Sequence, residues 1–298
     1  MSSITESYDT DACAVGPCDV RNVHDVGWRT CTGRSRYHRP RSSRSGSVRP
    51  GRSPTLELTV ISFVIPTLNE IKTIETTLQN LAGYAGPHEI IVSDGNSTDG
   101  TIEACRKYAD RVIVYDRPER QTIALARNMG AAEATGDYVV FLDADVVIPD
   151  VNAFFATALE VFDNRPGLVA LTGKYRVLEA QRTWSDSAMF TLLGLQFWFQ
   201  NNVLGIGGSG GEFQMISAHQ FRRVGGFNPT LTAAEDMDLF RRLSKVGRTR
   251  FENGLTVYHT GRRAHAVGWR KLVLEWGANS VSVFLFRKSV SKEWREVR

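Results

Sequence analysis

Residues 137–146 read DYVVFLDADV, and the reading of this stretch decides the fold. Asp137–Leu142 contains an unbroken β-rich apolar run, the pattern of a strand covered on both faces inside a parallel sheet. Behind it come Asp143, Ala144 and Asp145. Alternate residues of an extended chain point the same way, so both aspartates reach one side. Upstream the same grammar repeats. Thr59–Ile65 (TVISFVI) is a buried strand ending at Pro66, and Glu70–Leu81 carries a helical stripe at Ile71, Ile74, Leu78 and Leu81. Glu89–Val92 is a second strand, Thr98–Tyr108 a helix, Val112–Val114 a third strand and Ile123–Ala134 a helix. Strands alternating with helices at this spacing are βαβ units, predicting an α/β fold with a mostly parallel central sheet flanked by helices.

Ligands of such sheets sit beyond the carboxyl ends of the strands. The segments found there are Pro66-Thr67-Leu68-Asn69-Glu70, then Ser93-Asp94-Gly95-Asn96-Ser97-Thr98-Asp99-Gly100, then Asp143-Ala144-Asp145. For Asn69 or Thr98 a helix N-cap is the plainer reading, and for Asp99 a turn. Carboxylates converging on one rim repel unless a cation or a hydrogen-bonding ligand relieves them. Mg²⁺ or Mn²⁺ held by one or two carboxylates plus substrate phosphates suits Asp143 and Asp145.

The chain has 298 residues, 42% hydrophobic and 23% charged. This excludes collagen-like, wholly disordered and disulfide-scaffold classes. No run of 18 apolar residues predicts a membrane span, and no basic-then-apolar leader is visible, so the expected location is cytoplasmic. Residues 1–55 carry nine Arg and five acidic residues, while the remainder is electrically balanced. Residues 1–57 read as a disordered Arg/Ser-rich tail, with no nucleic-acid partner expected. Cys13, Cys18 and Cys31 lie in it without the paired spacing of a zinc knuckle. The main domain is expected over 58–261, and a basic amphipathic helical segment over 262–298.

VIPTLNE (64–70), IIVSDGNSTDGT (90–101), ALARNMGAAEATGDYVVFLDADV (124–146) and GGFNPTLTAAEDMDLFRRL (225–243), in that order, resemble the GT-A glycosyltransferases of family 2. The resemblance implies a GT-A, Rossmann-like fold and inverting transfer from a nucleotide-sugar. UDP-sugar is the favoured donor and GDP-sugar the alternative. It implies that Pro66, Thr67, Glu70 and Asp94 hold the base, that Asp143 and Asp145 hold ribose and metal, and that Arg127 contacts phosphate. It makes His259 a candidate third ligand, and Arg262 or Arg263 a diphosphate clamp. Many members carry two aspartates after the second strand, where this chain has Gly95. The Q-x-x-R-W of processive synthases is replaced by Gly268-Trp269-Arg270, which points to a single addition.

Inversion needs a base to deprotonate the acceptor hydroxyl. By resemblance that base is Asp236, with Glu235 orienting the loop or the acceptor and Asp238 the weaker substitute. The plainer reading is acidic residues favouring a helix N-terminus. Gly205–Gly211 (GIGGSGG) lacks the Lys-Ser/Thr of a P-loop and is expected to let backbone approach the donor or to permit closure. Ala188–Ile206 reads as a buried or interfacial helix. Trp269, Leu272, Val273 and Trp276 form a stripe beside Arg270 and Lys271. That stripe suits either core packing or peripheral contact with an anionic membrane, and the latter would go with a glycan or polyprenyl-linked acceptor. A sugar nucleotidyltransferase is the alternative enzyme, though PTLNE replaces its glycine-rich loop. A catalytically silent nucleotide- or glycan-binding module would lack the carboxylates present here.

Overall fold

The computed structural model describes residues 59–291; the expectations for residues 1–57 lie outside them. The elements run β1 (Ile61–Thr67), α1 (Ile74–Ala82), β2 (His88–Asp94), α2 (Thr101–Cys105), β3 (Arg111–Val114), α3 (Ile123–Ala132), β4 (Tyr138–Leu142) and α4 (Val151–Asp163). They continue with β5 (Leu168–Val177), α5 (Trp184–Trp198), β6 (Phe213–Ser217), α6 (Ala218–Arg223), α7 (Glu235–Leu243), β7 (Arg248–His259), α8 (Arg262–Val267) and α9 (Trp269–Phe286). The seven strands form one sheet in the order β3-β2-β1-β4-β6-β5-β7. All neighbours are parallel except β6, which runs antiparallel to β4 and β5.

The apolar runs are continuous because both faces of the sheet are covered. In β1, Ile61, Phe63 and Ile65 enter one core with Phe155 and Phe213, while Val64 enters the other with Phe141 and Phe227. In β4, Val140 and Leu142 serve the first core, and Val139 and Phe141 the second. Strand order reverses between β1 and β4, which opens a crevice at their carboxyl ends. The reversed β6 matters to that crevice. Its first residue, Phe213, pairs with Leu142 at the end of β4, so the glycine segment preceding β6 arrives at the same rim.

Several local expectations are corrected. The first helix begins at Ile74 rather than Glu70, because Asn69 adopts the left-handed conformation (φ 54°). Asn69 does not cap it; its Oδ1 accepts from the Thr98 N–H at 2.9 Å. Thr98 precedes a helix that starts only at Thr101, whereas Asp99 closes the turn by accepting from Thr101. β7 is long, at 12 residues. The Trp269 stripe divides: Trp269 packs edge-on against Phe190 at 5.1 Å and Leu272 is buried, whereas Val273 is exposed.

Buried Asp186 ties these last helices to α5. It completes a capping box with Thr183 and accepts from His265 Nε2 and Trp269 Nε1, each at 2.8 Å. Burial alone would raise its pKa, but the bonds from His265, Thr183 and Trp269 hold the carboxyl down at about 2. Asp186→Ala strands those donors and is expected to cost about 1–3 kcal/mol, read as a lower urea midpoint. The wild-type margin is present above the unfolded carboxyl value of about 3.9 and fades as pH falls toward 2.

Candidate active site

Arg127 organises the rim. It lies on the buried face of α3 and is 1% exposed. Its Nη1 donates to Asp236 Oδ1 at 2.6 Å and Glu235 Oε1 at 3.2 Å, and its Nη2 to Asp143 Oδ1 at 3.0 Å and the Gly211 carbonyl at 3.2 Å. Burial would lower its pKa, but the charges of Asp236, Asp143 and Glu235 outweigh this and raise it. The guanidinium is spent on protein acceptors, so the phosphate contact expected of Arg127 is not offered in this arrangement. It joins the E-D loop to the D-x-D loop.

Glu235 and Asp236 open α7 after Ala234, which is left-handed (φ 62°). Burial, then the neighbouring Asp236 charge, pushes the Glu235 carboxyl up, against the pull of Arg127. Asp236 also rises through burial, opposed by Arg127. It further accepts from Gln214 Nε2 at 2.7 Å and shares a hydrogen bond with Glu235. Its side chain is 15% exposed, against 8% for Glu235. Asp238 instead pairs with Arg242 at 2.7 Å along the same helix.

Two neighbours carry no motif. Glu212 and Gln214 flank the start of β6, and only the antiparallel pairing brings them here. The Glu212 carboxyl is pushed up by burial, then by Asp143 and Asp236. The glycines have packing roles. A Cβ on Gly211 would stand 2.5 Å from Arg127 Nη2, and one on Gly207 2.2 Å from the Phe240 carbonyl. Contact between backbone and donor is therefore not needed to account for them.

On the β1–β2 side, Asp94 is wholly buried. Its Oδ2 accepts from Thr67 Oγ1 at 2.8 Å and Ser97 Oγ at 2.7 Å, and its Oδ1 from the Ser97 N–H at 2.6 Å. Thr67 and Asp94 thus shape the base-side loop from within rather than facing a ligand. Pro66, half-buried at the end of β1, and Gly95 lie beside them. A Cβ at Gly95 would crowd Leu68 and Gln121 at 3.3 Å, so a second aspartate does not fit without adjustment. Glu70 is clamped by Arg262, with both pairs of atoms at 2.6 Å. Burial raises its pKa, and Arg262 opposes this. The segment after residue 261 is therefore part of the rim. Arg263 turns to Glu275 at 3.6 Å.

Asp145 accepts from Thr260 and lies 3.6 Å from Arg262 Nε. Among the described residues no group of three or more His, Cys, Asp or Glu side chains is arranged to hold a metal ion by itself. The donor set nonetheless suits a hard cation. Asp143 and Asp145 offer carboxylate oxygens, and Glu70, Glu212, Glu235 and Asp236 crowd behind them against two guanidiniums. Mg²⁺ and Mn²⁺ fit such open sites, where substrate phosphate and water complete the shell. His259 does not join as placed. Its Nδ1 accepts from the Gly261 N–H at 3.2 Å, which leaves the ring proton on Nε2, and Phe190 packs edge-on at 4.8 Å. Burial holds the ring neutral, against the pull of Asp145. Ligation would require the ring to turn.

A doubly covered sheet with an acidic crevice at its topological switch defines an α/β protein of the GT-A type. The chain belongs to Glycosyl transferase family 2, whose model matches residues 62–219, just over half of its length. It is 31% identical over 211 residues to the succinoglycan biosynthesis protein ExoA of Rhizobium meliloti (strain 1021), covering 64% of this chain and 60% of that protein. Over 125 residues it is 36% identical to the poly-beta-1,6-N-acetyl-D-glucosamine synthase of Staphylococcus aureus (strain COL), covering 41% and 30% respectively. The chain thus spans less than two thirds of either relative. Among solved structures, the mannosyltransferase PcManGT from Pyrobaculum calidifontis, in complex with GDP-Man and Mn²⁺, superposes with a TM-score of 0.58 at 23% identity, covering 78% of this chain and 64% of that one. No described helix is long and apolar enough to cross a membrane.

Proposed function

We propose that the protein transfers one sugar, with inversion, from a nucleotide-sugar donor to an acceptor hydroxyl or phosphate in glycan or glycoconjugate synthesis. The observation that carries this reading is the junction at Arg127, which fixes Asp236 and Asp143 on two arms of one guanidinium. Asp236 removes the acceptor proton as the sugar's anomeric carbon is attacked from the face opposite the leaving diphosphate. Glu235, the more deeply buried of the two, is left to orient the loop or the acceptor. Asp143 and Asp145 would hold Mg²⁺ or Mn²⁺, which supplies charge stabilisation to the departing diphosphate. Arg262, its side chain 30% exposed, is placed to meet the same charge once Glu70 shares it. The Thr67–Asp94–Ser97 network and Pro66 shape the base pocket. UDP-sugar is the favoured donor and GDP-sugar the alternative.

Peripheral contact with an anionic membrane is also proposed. Leu274, Val281, Phe284, Leu285 and Phe286 are exposed on α9, between the Arg270–Lys271 and Arg287–Lys288 pairs.

Calorimetry with UDP-, GDP- and TDP-sugars, with and without Mn²⁺, tests the donor site. One nucleotide class should bind in a metal-dependent way, weakened at least about tenfold in Asp145→Ala. Folded protein that binds none of them would overturn the reading.

A further inference from the structure

A second cavity, of about 370 Å³, opens between α5 and the β5–β7 edge of the sheet. Three cations line it: Lys174 and Arg176 on β5, and Arg182 just before α5. The one acidic residue in its wall, Asp186, is committed to Thr183, His265 and Trp269. No carboxylate among the described residues pairs with Lys174, Arg176 or Arg182, whereas Arg127 holds three and Arg262 two. What sets these three apart is that they gather around one hollow. Unpaired Lys and Arg around a concave site are the chemistry that binds phosphate.

The rest of the wall is apolar. Phe190, Leu195, Trp198 and Phe251 face the cavity. Leu195 and Trp198 continue onto an exposed ridge of Leu192, Phe199, Val203, Leu204 and Ile206 at the end of α5 and beyond. Tyr175, one of its lining residues, links it to the rim: the buried Tyr175 hydroxyl lies 3.2 Å from Ser209 Oγ and accepts from the Gly210 N–H at 3.2 Å, one residue before the carbonyl that Arg127 grips. Phe190 packs on His259, whose neighbour Thr260 bonds Asp145.

We propose that this cavity is the acceptor subsite, and that it takes a phosphate group attached to a hydrocarbon chain. The phosphate meets Lys174, Arg176 and Arg182, and the chain lies along Leu195, Trp198 and the ridge. The assignment to the acceptor rests on the glycosyl-transfer reading above; the ligand chemistry does not.

The full chain would be titrated with decyl phosphate below its micellar concentration, following tryptophan fluorescence, with decanol and glycerol 3-phosphate as the other arms. Saturable binding of decyl phosphate is expected, weakened about tenfold or more in the Lys174→Gln/Arg176→Gln double variant. Decanol should bind far more weakly, and so should glycerol 3-phosphate. Equal binding of decanol would overturn the phosphate site. Equal binding of glycerol 3-phosphate would keep the phosphate site and overturn the hydrocarbon part. Nucleotide-sugar calorimetry on the same samples separates the two readings. If donor binds and no phosphate does, the subsite falls and glycosyl transfer stands. If phosphate binds with the expected loss and no donor does, the cavity stands and its role as acceptor subsite falls.

Discussion

Asp236→Asn is expected to lower kcat by about 10²–10⁴-fold while donor affinity stays within a few-fold of wild type. Asparagine keeps the shape, and its Oδ1 still accepts from Arg127 and Gln214, which meet Asp236 at 2.6 and 2.7 Å. The Arg127 junction and the donor side are therefore preserved while the base is lost. Glu235→Gln is the necessary companion. Because burial and the Asp236 charge push the Glu235 carboxyl toward its protonated form, whose shape glutamine shares, the loss should be far smaller. The pH profile carries the same logic. Burial lifts Asp236 above the usual 3.8, against the pull of Arg127, so the acid limb of kcat/KM should lie above the ordinary aspartate value. Activity then falls as pH drops through that limb. Steady-state kinetics on the two variants decides the matter. A dead Glu235→Gln beside an active Asp236→Asn would reverse the roles.

The βαβ half of the fold was legible because parallel strands covered on both faces leave unbroken apolar runs, and each run ends in a polar loop. Thr59–Ile65 and Asp137–Leu142 fall within two residues of β1 and β4 at either end. What could not be read is pairing direction. FQMIS is a short apolar strand like the others, and nothing in its pattern says that β6 runs against β4. That reversal carries Glu212 and Gln214 to the catalytic rim, so both stayed invisible. The polar residues divided in a similar way. The D-x-D and E-D pairs lie where the motifs placed them, because strand ends and helix starts fix position locally. Asp94, Thr67 and Arg127 were expected to meet a ligand, and the fold buries all three. Whether a polar side chain turns inward depends on which partners tertiary packing supplies, and those partners are distant in sequence. Glu70 shows the same limit, since its partner Arg262 lies 192 residues away, across the boundary expected after residue 261.

The inward role of Arg127 makes the second large prediction a test of stability rather than of binding. Arg127→Met removes the shared cation from Asp143, Glu235 and Asp236 and leaves them with no replacement. Breaking a buried ion pair from one side costs about 3–5 kcal/mol. For a domain of this size that corresponds to a melting temperature lower by roughly 6–20 °C. The sign with pH follows from the carboxylates. Without the guanidinium the folded pKa values of Glu235 and Asp236 rise further above the unfolded ones. A raised acid costs stability as pH climbs from the unfolded value through the folded one. The gap between variant and wild type should therefore widen from pH 5 to pH 8 and narrow on acidification. A residue that merely met donor phosphate would behave differently: its removal would weaken nucleotide-sugar binding and leave the melting curve of the free protein in place. Arg127→Lys falls between, since one ammonium cannot reproduce the separate Nη1 and Nη2 contacts that hold the two acidic loops together. Thermal melts of the three proteins at both pH values, without donor, distinguish a structural junction from a ligand contact.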